Sequence, residues 1–277
     1  MLDVTLSSSP DELYRIGYYS RVQSLIETMY NSSGGEKVTL VVHSMGGIVS
    51  LYFLNEVVSQ QWKDMYINAW VTLSAAWSGG NGILELIISD NFLFRTFEST
   101  IWLLPKPSVW GNITLLTSPN QTYTANDYEA FFNDIGFPQG YQMYLGIVPI
   151  NENYPAPRVP TYCYYGTNVS TPESYTYGNG FGGNATNTVF GDGDGSVNLL
   201  SSEVCLKWRN EQSEPFFNET FPGIDHGQMI ANPTVLQAVA NVVGAPMPSS
   251  TTVSAAASLT LMMGSTAVLL AFLYLSK

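Results

Sequence analysis

The chain has 277 residues, 45% of them apolar and only 12% charged, with a formal net charge of −12. That length and apolar share suit one large domain, or a domain with an insertion, around a sizeable core. An acidic chain with a pI near 4.4 repels phosphate backbones, which excludes nucleic-acid binding; the repulsion from anionic lipid shrinks only where acid protonates the carboxylates.

Residues 11–30 carry Leu13, Ile16, Val22, Leu25, Ile26 and Met29 at the spacing of an amphipathic helix. Residues 37–42, KVTLVV, are a β-branched run of the kind buried on both faces of a parallel sheet. His43-Ser44-Met45-Gly46-Gly47 follows, and then a helical pattern over 48–58. Residues 69–73, AWVTL, read as a second buried strand. Residues 78–158 mix apolar clusters with Pro, Gly and aromatics and lack a strand–helix rhythm, so they read as an inserted cap. Residues 161–165, TYCYY, read as a third strand, 167–187 as a Gly/Asn/Thr-rich loop, and 216–221 as a weak fourth strand. The last helix spans 233–243, capped by Asn232 and opened by a proline. Strands alternating with helices imply an α/β class with a mostly parallel sheet and flanking helices. Residues 1–244 are expected to form one such domain, with the cap inserted at about 78–158.

From 245 to 276 no residue is charged, and 253–275 are apolar or small throughout. Two membrane readings follow: a transmembrane helix, for which about 20 residues suffice, or a glycolipid-anchor signal opened by the small residues Ser249, Ser250 and Thr251. Residues 245–277 are therefore expected to be a linker and a membrane or anchor tail. Two cysteines, Cys163 and Cys205, are either buried thiols or one disulfide. Asn31, Asn112, Asn120, Asn168, Asn184 and Asn218 each open an Asn-x-Ser/Thr sequon. Sequons and paired cysteines point to the secretory pathway. With the tail, they place the chain at a membrane of the cell surface or the lysosome or vacuole. Residues 1–10 are too polar for a signal peptide.

The chemistry starts at Ser44. A serine between a buried strand and a helix, with Gly46 two residues on, fits the nucleophile elbow G-x-S-x-G, although Val42 fills the first small position. The helix N-terminus favours developing negative charge, and the Met45 amide is placed to serve as one oxyanion donor. Of the two histidines, His43 lies inside the elbow and points away from the reaction face, as a packing or hydrogen-bonding residue. His226, between the fourth strand and the last helix, is left as the general base, and the chain order Ser, Asp, His matches that of an α/β hydrolase, so residues 1–244 are expected to be a partial α/β-hydrolase fold. The orienting acid is expected in Gly191-Asp192-Gly193-Asp194-Gly195: Asp194 first, Asp192 as runner-up, and Asp225 less suited because it adjoins the base. A calcium loop is a rival reading of that Asp/Gly alternation, but the twelfth-position Glu is missing. No metal and no cofactor are expected.

VVHSMGG (41–47), WKDMYINAWVTLSAAWSGG (62–80), YTANDYEAFFNDIGF (123–137), FGDGDGSVNLLSSEVCLKW (190–208) and DHGQMI (225–230) together resemble the lecithin:cholesterol acyltransferase family, and within it the lysosomal phospholipase A branch. GDGDGSVNL is the most specific of these blocks. The resemblance implies that Ser44, Asp194 and His226 form a triad and that Cys163 and Cys205 are bridged. It implies a phospholipid substrate at a membrane surface, with acyl transfer through an acyl-serine to water or to a lipophilic alcohol. The family also places several strands, a lid and the second oxyanion donor before the elbow, whereas 36 residues precede Lys37 here. The sequence is therefore expected to lack an N-terminal part and, as written, to leave residues 37–42 as an open apolar edge and be poorly soluble and nearly inactive. Two alternatives accompany this reading: a non-catalytic membrane-anchored remnant of the fold, and a small-molecule esterase.

Overall fold

A computed structural model describes residues 17–89, 92–151, 153–244 and 268–272. The first helix, α1 (Tyr18–Ser32), buries Tyr18, Tyr19, Val22 and Ile26; of the stripe expected from the apolar spacing, Val22 and Ile26 are buried and Leu25 and Met29 pack half-buried against the same core, while residues 11–16 of that expectation lie outside the described residues. Strand β1 (Val38–His43) is buried at every position. Its side chains divide by strict alternation: Val38, Leu40 and Val42 enter the larger apolar core with α1, while Val41 enters a second core on the other face. Helix α2 (Met45–Tyr52) leaves the elbow and runs into one π-helical turn, Phe53–Val57. A short helix, α3 (Gln60–Tyr66), is capped by the Ser59 hydroxyl, which accepts the Trp62 N–H, and leads into β2 (Ile67–Leu73).

Between β2 and the next sheet strand lie the short helices Gly82–Ile88, Phe92–Thr96, Glu98–Trp102 and Pro107–Trp110, the longer Tyr128–Asp134 and Pro138–Asn151, and the two-residue strands β3 (Leu116–Thr117) and β4 (Thr122–Tyr123). Their apolar side chains, among them Ile87, Trp102, Leu116 and Phe132, join the same core as α1 and β1. Strand β5 (Thr161–Thr167) returns to the main sheet. Residues 167–187, read as a loop, instead contain β6 (Thr171–Thr176), which pairs antiparallel with β7 (Asn187–Gly191) and parallel with β3. The order β4-β3-β6-β7 makes a second, four-stranded sheet. The chain closes the main sheet with β8 (Phe216–Pro222) and packs α4 (Pro233–Val243) over its second face through Val235, Leu236, Val239, Ala240 and Val243.

The main sheet runs β8-β5-β2-β1-β9, all parallel. Its outer member, β9, is Val268–Phe272, paired in register from Thr39↔Val268 to His43↔Phe272. This corrects two expectations at once. The outer edge of β1 is paired rather than open, and this part of the tail is a sheet strand rather than a membrane helix. Among the described residues no helix is long and apolar enough to cross a membrane. Cys163 of β5 is bridged to Cys205, with Cα atoms 6.6 Å apart, which fixes the segment after the Asp/Gly loop to the sheet.

Candidate active site

The C-terminal ends of the parallel strands share one edge of the sheet, where open α/β sheets place their ligands. Ser44 follows β1 there with φ 57° and ψ −127°, a conformation costly for a residue with a Cβ. The turn is held at both sides: Ser44 N–H donates to Leu73 O at 3.0 Å, and Gly47 N–H donates to Ser44 O at 3.0 Å. Size is restricted at Gly47, one residue beyond the motif's Gly46. A Cβ at 47 would stand 2.3 Å from the Ala75 Cβ, so the start of α2 lies flat on the chain leaving β2. Ser44 itself is 2% exposed.

His226 comes from the short connection between β8 and α4. Its Nε2 lies 2.9 Å from Ser44 Oγ and its Nδ1 lies 2.7 Å from Asp194 Oδ2. Residues separated by up to 182 positions thus form one hydrogen-bonded line, Ser44–His226–Asp194. Asp194 is fully buried. Burial alone would raise its carboxyl, but the His226 hydrogen bond and charge, the Val197 N–H and the Ser74 hydroxyl outweigh it and hold the group below the ordinary carboxylate value. Its other oxygen, Oδ1, accepts the N–H groups of Ser196 at 3.0 Å and Val197 at 2.7 Å. Asp192 does different work: its Oδ1 accepts Asn168 N–H at 2.5 Å and Gly193 N–H at 2.7 Å, folding the loop. Asp225 accepts the Gln228 N–H at 2.9 Å and starts the turn after His226.

Met45, buried, opens α2, so its amide belongs to the first turn of a helix beside Ser44. His43 is fully buried, and its imidazole is pushed down to a pKa of about 3, first by burial and then by His226. Two residues were missed in the sequence. Ser74, buried with φ 46°, directly follows β2; its Oγ accepts the Gly166 N–H at 3.3 Å and its hydroxyl supports Asp194. Gly166 lies where β5 meets both the Asp194 and the His226 loops. A polar residue directly after a buried strand was the one signal available for Ser74. Of the sequon asparagines, Asn31, Asn112, Asn120, Asn168 and Asn184 are exposed and Asn218 is half-buried. Among the described residues, no group of three or more His, Cys, Asp or Glu could hold a metal ion.

A parallel sheet with a serine at a strand-to-helix elbow, and a histidine from the last crossover reaching it, is the arrangement of the α/β hydrolases. A family model described as lecithin:cholesterol acyltransferase matches residues 8–154 and 141–232, and the chain belongs to that family. It is 38% identical over 243 residues to the lysosomal phospholipase A and acyltransferase of Canis lupus familiaris, covering 83% of this chain and 59% of that protein. It is 32% identical over 249 residues to the phosphatidylcholine-sterol acyltransferase of Gallus gallus, covering 82% and 60%. The chain therefore spans about 59% of the length of the former and 60% of the latter. A solved chain of the Tle4–Tli4 complex shares the fold, with a TM-score of 0.52 at 14% identity over 80% of this chain and 63% of that one. The expectation of a membrane-associated location is withdrawn: the relative from Canis lupus familiaris is named for the lysosome rather than for a membrane, and part of the supposed anchor is β9.

Proposed function

We propose that this chain carries the acyl-transfer machinery of a phospholipase and acyltransferase, with Ser44 as nucleophile, His226 as general base and acid, and Asp194 as the carboxylate that orients it. The observation behind the reading is the continuous hydrogen-bonded line of 2.9 and 2.7 Å through the imidazole of His226. Ser44 Oγ attacks the ester carbonyl of a glycerophospholipid as His226 Nε2 takes its proton. The Met45 N–H faces the oxyanion that forms. The imidazolium, held by Asp194, gives the proton to the leaving glycerol oxygen, and the lysophospholipid departs from an acyl-Ser44. Water or a lipophilic alcohol then loses its proton to His226, attacks the acyl carbon and frees the serine. Residues 78–158 serve as the cap for the lipid in this reading, tied to the helical turn that follows the Asp194 loop by the Ser78 N–H on Ser201 Oγ at 2.9 Å. The exposed asparagines Asn31, Asn112, Asn120, Asn168 and Asn184 are its glycan acceptors. Asn218, half-buried in β8 and bonded by the Arg209 guanidinium, is not.

The test is labelling of the full chain with a fluorophosphonate, together with release of lysophospholipid from phosphatidylcholine vesicles with and without an added long-chain alcohol. Ser44→Ala should abolish labelling and bring lipid turnover down to background, and with the unsubstituted chain the alcohol should appear as its ester. Equal labelling of the wild-type and Ser44→Ala chains sinks the assignment. Mass analysis after enzymatic deglycosylation of secreted protein should find deamidation at the five exposed sequons and none at Asn218.

A further inference from the structure

The reaction needs the His226 ring to stay within hydrogen-bonding reach of Ser44, yet the ring is borne by a short, partly exposed loop. Its main chain is gripped on both sides. The His226 N–H donates to the Asp194 carbonyl at 2.8 Å. The His226 carbonyl lies 2.9 Å from His43 Nε2. A carbonyl only accepts, so His43 carries its proton on Nε2. Its Nδ1 is buried with no hydrogen-bond partner, which suits a neutral ring with a bare lone pair there. The two imidazoles sit 4.5 Å apart and tilted by 42°.

We propose that His43 is a positioning residue for the base: from the last position of β1, next to the nucleophile, its Nε2–H clamps the His226 main chain and sets the imidazole against Ser44. The proposal rests on the acyl-transfer reading above for its catalytic consequence and on geometry alone for the clamp. It gives the histidine before the nucleophile a reason that packing does not supply. A phenylalanine would fill the same space, but it would leave the His226 carbonyl without its donor. The charged and titratable groups that bear on His43 are His226 and Asp194, and the clamp works with His43 neutral.

The chain contains two histidines, so its imidazole spectrum holds two rings, and His43→Gln assigns them. Long-range proton–nitrogen spectra of the full chain should show His43 protonated on Nε2 alone from pH 5 to pH 8. In fluorophosphonate labelling, His43→Phe should be about 10- to 100-fold slower than wild type, the scale of a displaced catalytic group. Its probe saturation should be unchanged. His43→Gln should recover most of that rate, because its amide nitrogen is as many bonds from Cα as His Nε2. Near-UV circular dichroism shows which variants are folded. Wild-type labelling rates in a folded His43→Phe, or a folded Gln variant no faster than the Phe variant, would overturn the proposal. Should the wild-type chain label no faster than Ser44→Ala, the acyl-transfer reading fails. The imidazole spectrum then still decides the clamp, which a His43 proton on Nδ1 overturns and one on Nε2 supports.

Discussion

Gly166 shows how little room the site leaves at the scale of one residue. It is the last residue but one of β5, and a Cβ there would stand 2.2 Å from the Ile224 carbonyl oxygen and 3.0 Å from the Asp194 Cβ. Those two neighbours belong to the loops that carry His226 and Asp194, so one added methyl presses on both. Relief requires the loops to separate, which lengthens the bonds along Ser44–His226–Asp194. Gly166→Ala should therefore cut the labelling rate of Ser44 by about 10²-fold. It should also cost about 1–3 kcal/mol of stability, as overpacking in a tight site does. Chemical unfolding and probe kinetics on the same sample check both. A variant with wild-type labelling would show that the loops can part without disturbing the chemistry. Ser74 acts more gently. Removing its hydroxyl in Ser74→Ala takes one donor from the buried Asp194 carboxylate, which should raise that carboxyl and weaken its hold on His226, slowing labelling less than Gly166→Ala does.

At the scale of elements, the segment that delivers Asp194 is anchored from several directions. Asn198 accepts the Asn81 N–H at 3.1 Å and donates to the Pro172 carbonyl at 2.8 Å, while Asn81 donates to the Glu173 carbonyl at 2.8 Å. Trp70, Trp77 and Trp208 cluster with ring centroids 4.9 to 5.7 Å apart, and the Cys163–Cys205 bridge closes a 42-residue span around the loop. A loop of that length contributes about 4 kcal/mol by chain-entropy reasoning, with measured cases commonly at 2–4. Replacing both cysteines with serine should lower the unfolding free energy by about 2–4 kcal/mol, and urea titration of the two proteins checks it; an unchanged midpoint would mean that the tryptophan cluster holds the segment unaided. Legibility in the sequence followed burial. β1, β2 and α4 were readable because full burial, or a continuous apolar stripe, imposes a pattern on every residue. The β6–β7 hairpin was not: in Thr171–Thr176 only Thr171 and Tyr175 are buried, and two contacts through Thr and Tyr do not make a visible period. α3 was missed for a related reason. Its anchors are polar, with Lys63 donating to the Pro157 carbonyl at 2.7 Å and the Trp62 indole to Glu27 at 2.8 Å. The line Ser44–His226–Asp194 was legible because chain order and elimination leave few residues to choose from. The supports at Ser74 and Gly166 were not, because their roles exist only after three strand ends meet.

For the molecule as a whole, the sharpest consequence of the fold is how its stability should respond to acid. His43 has a folded pKa of about 3, lowered by burial and by His226, against roughly 6.5 for an unfolded histidine. As pH falls below that unfolded value, the denatured chain takes up a proton that the fold refuses, so stability declines from about pH 6.5 down to about pH 3. At pH 5 the loss from this one ring is about 2 kcal/mol. Asp194 adds to it later. Its carboxyl is held below the ordinary value, so its contribution is complete above about pH 4 and is lost only as pH drops through the lowered folded pKa. Acid also reduces the self-repulsion of a chain whose net charge is −12, which works in the opposite direction. That effect is common to wild type and a neutral replacement, so their difference isolates the ring. Urea unfolding at pH 7 and at pH 5 should find the wild-type chain losing about 2 kcal/mol more than His43→Gln, whose buried side chain has no proton to gain. Identical pH slopes in the two proteins would mean that His43 is charged inside the fold, and a charged imidazole there contradicts the neutral clamp on His226.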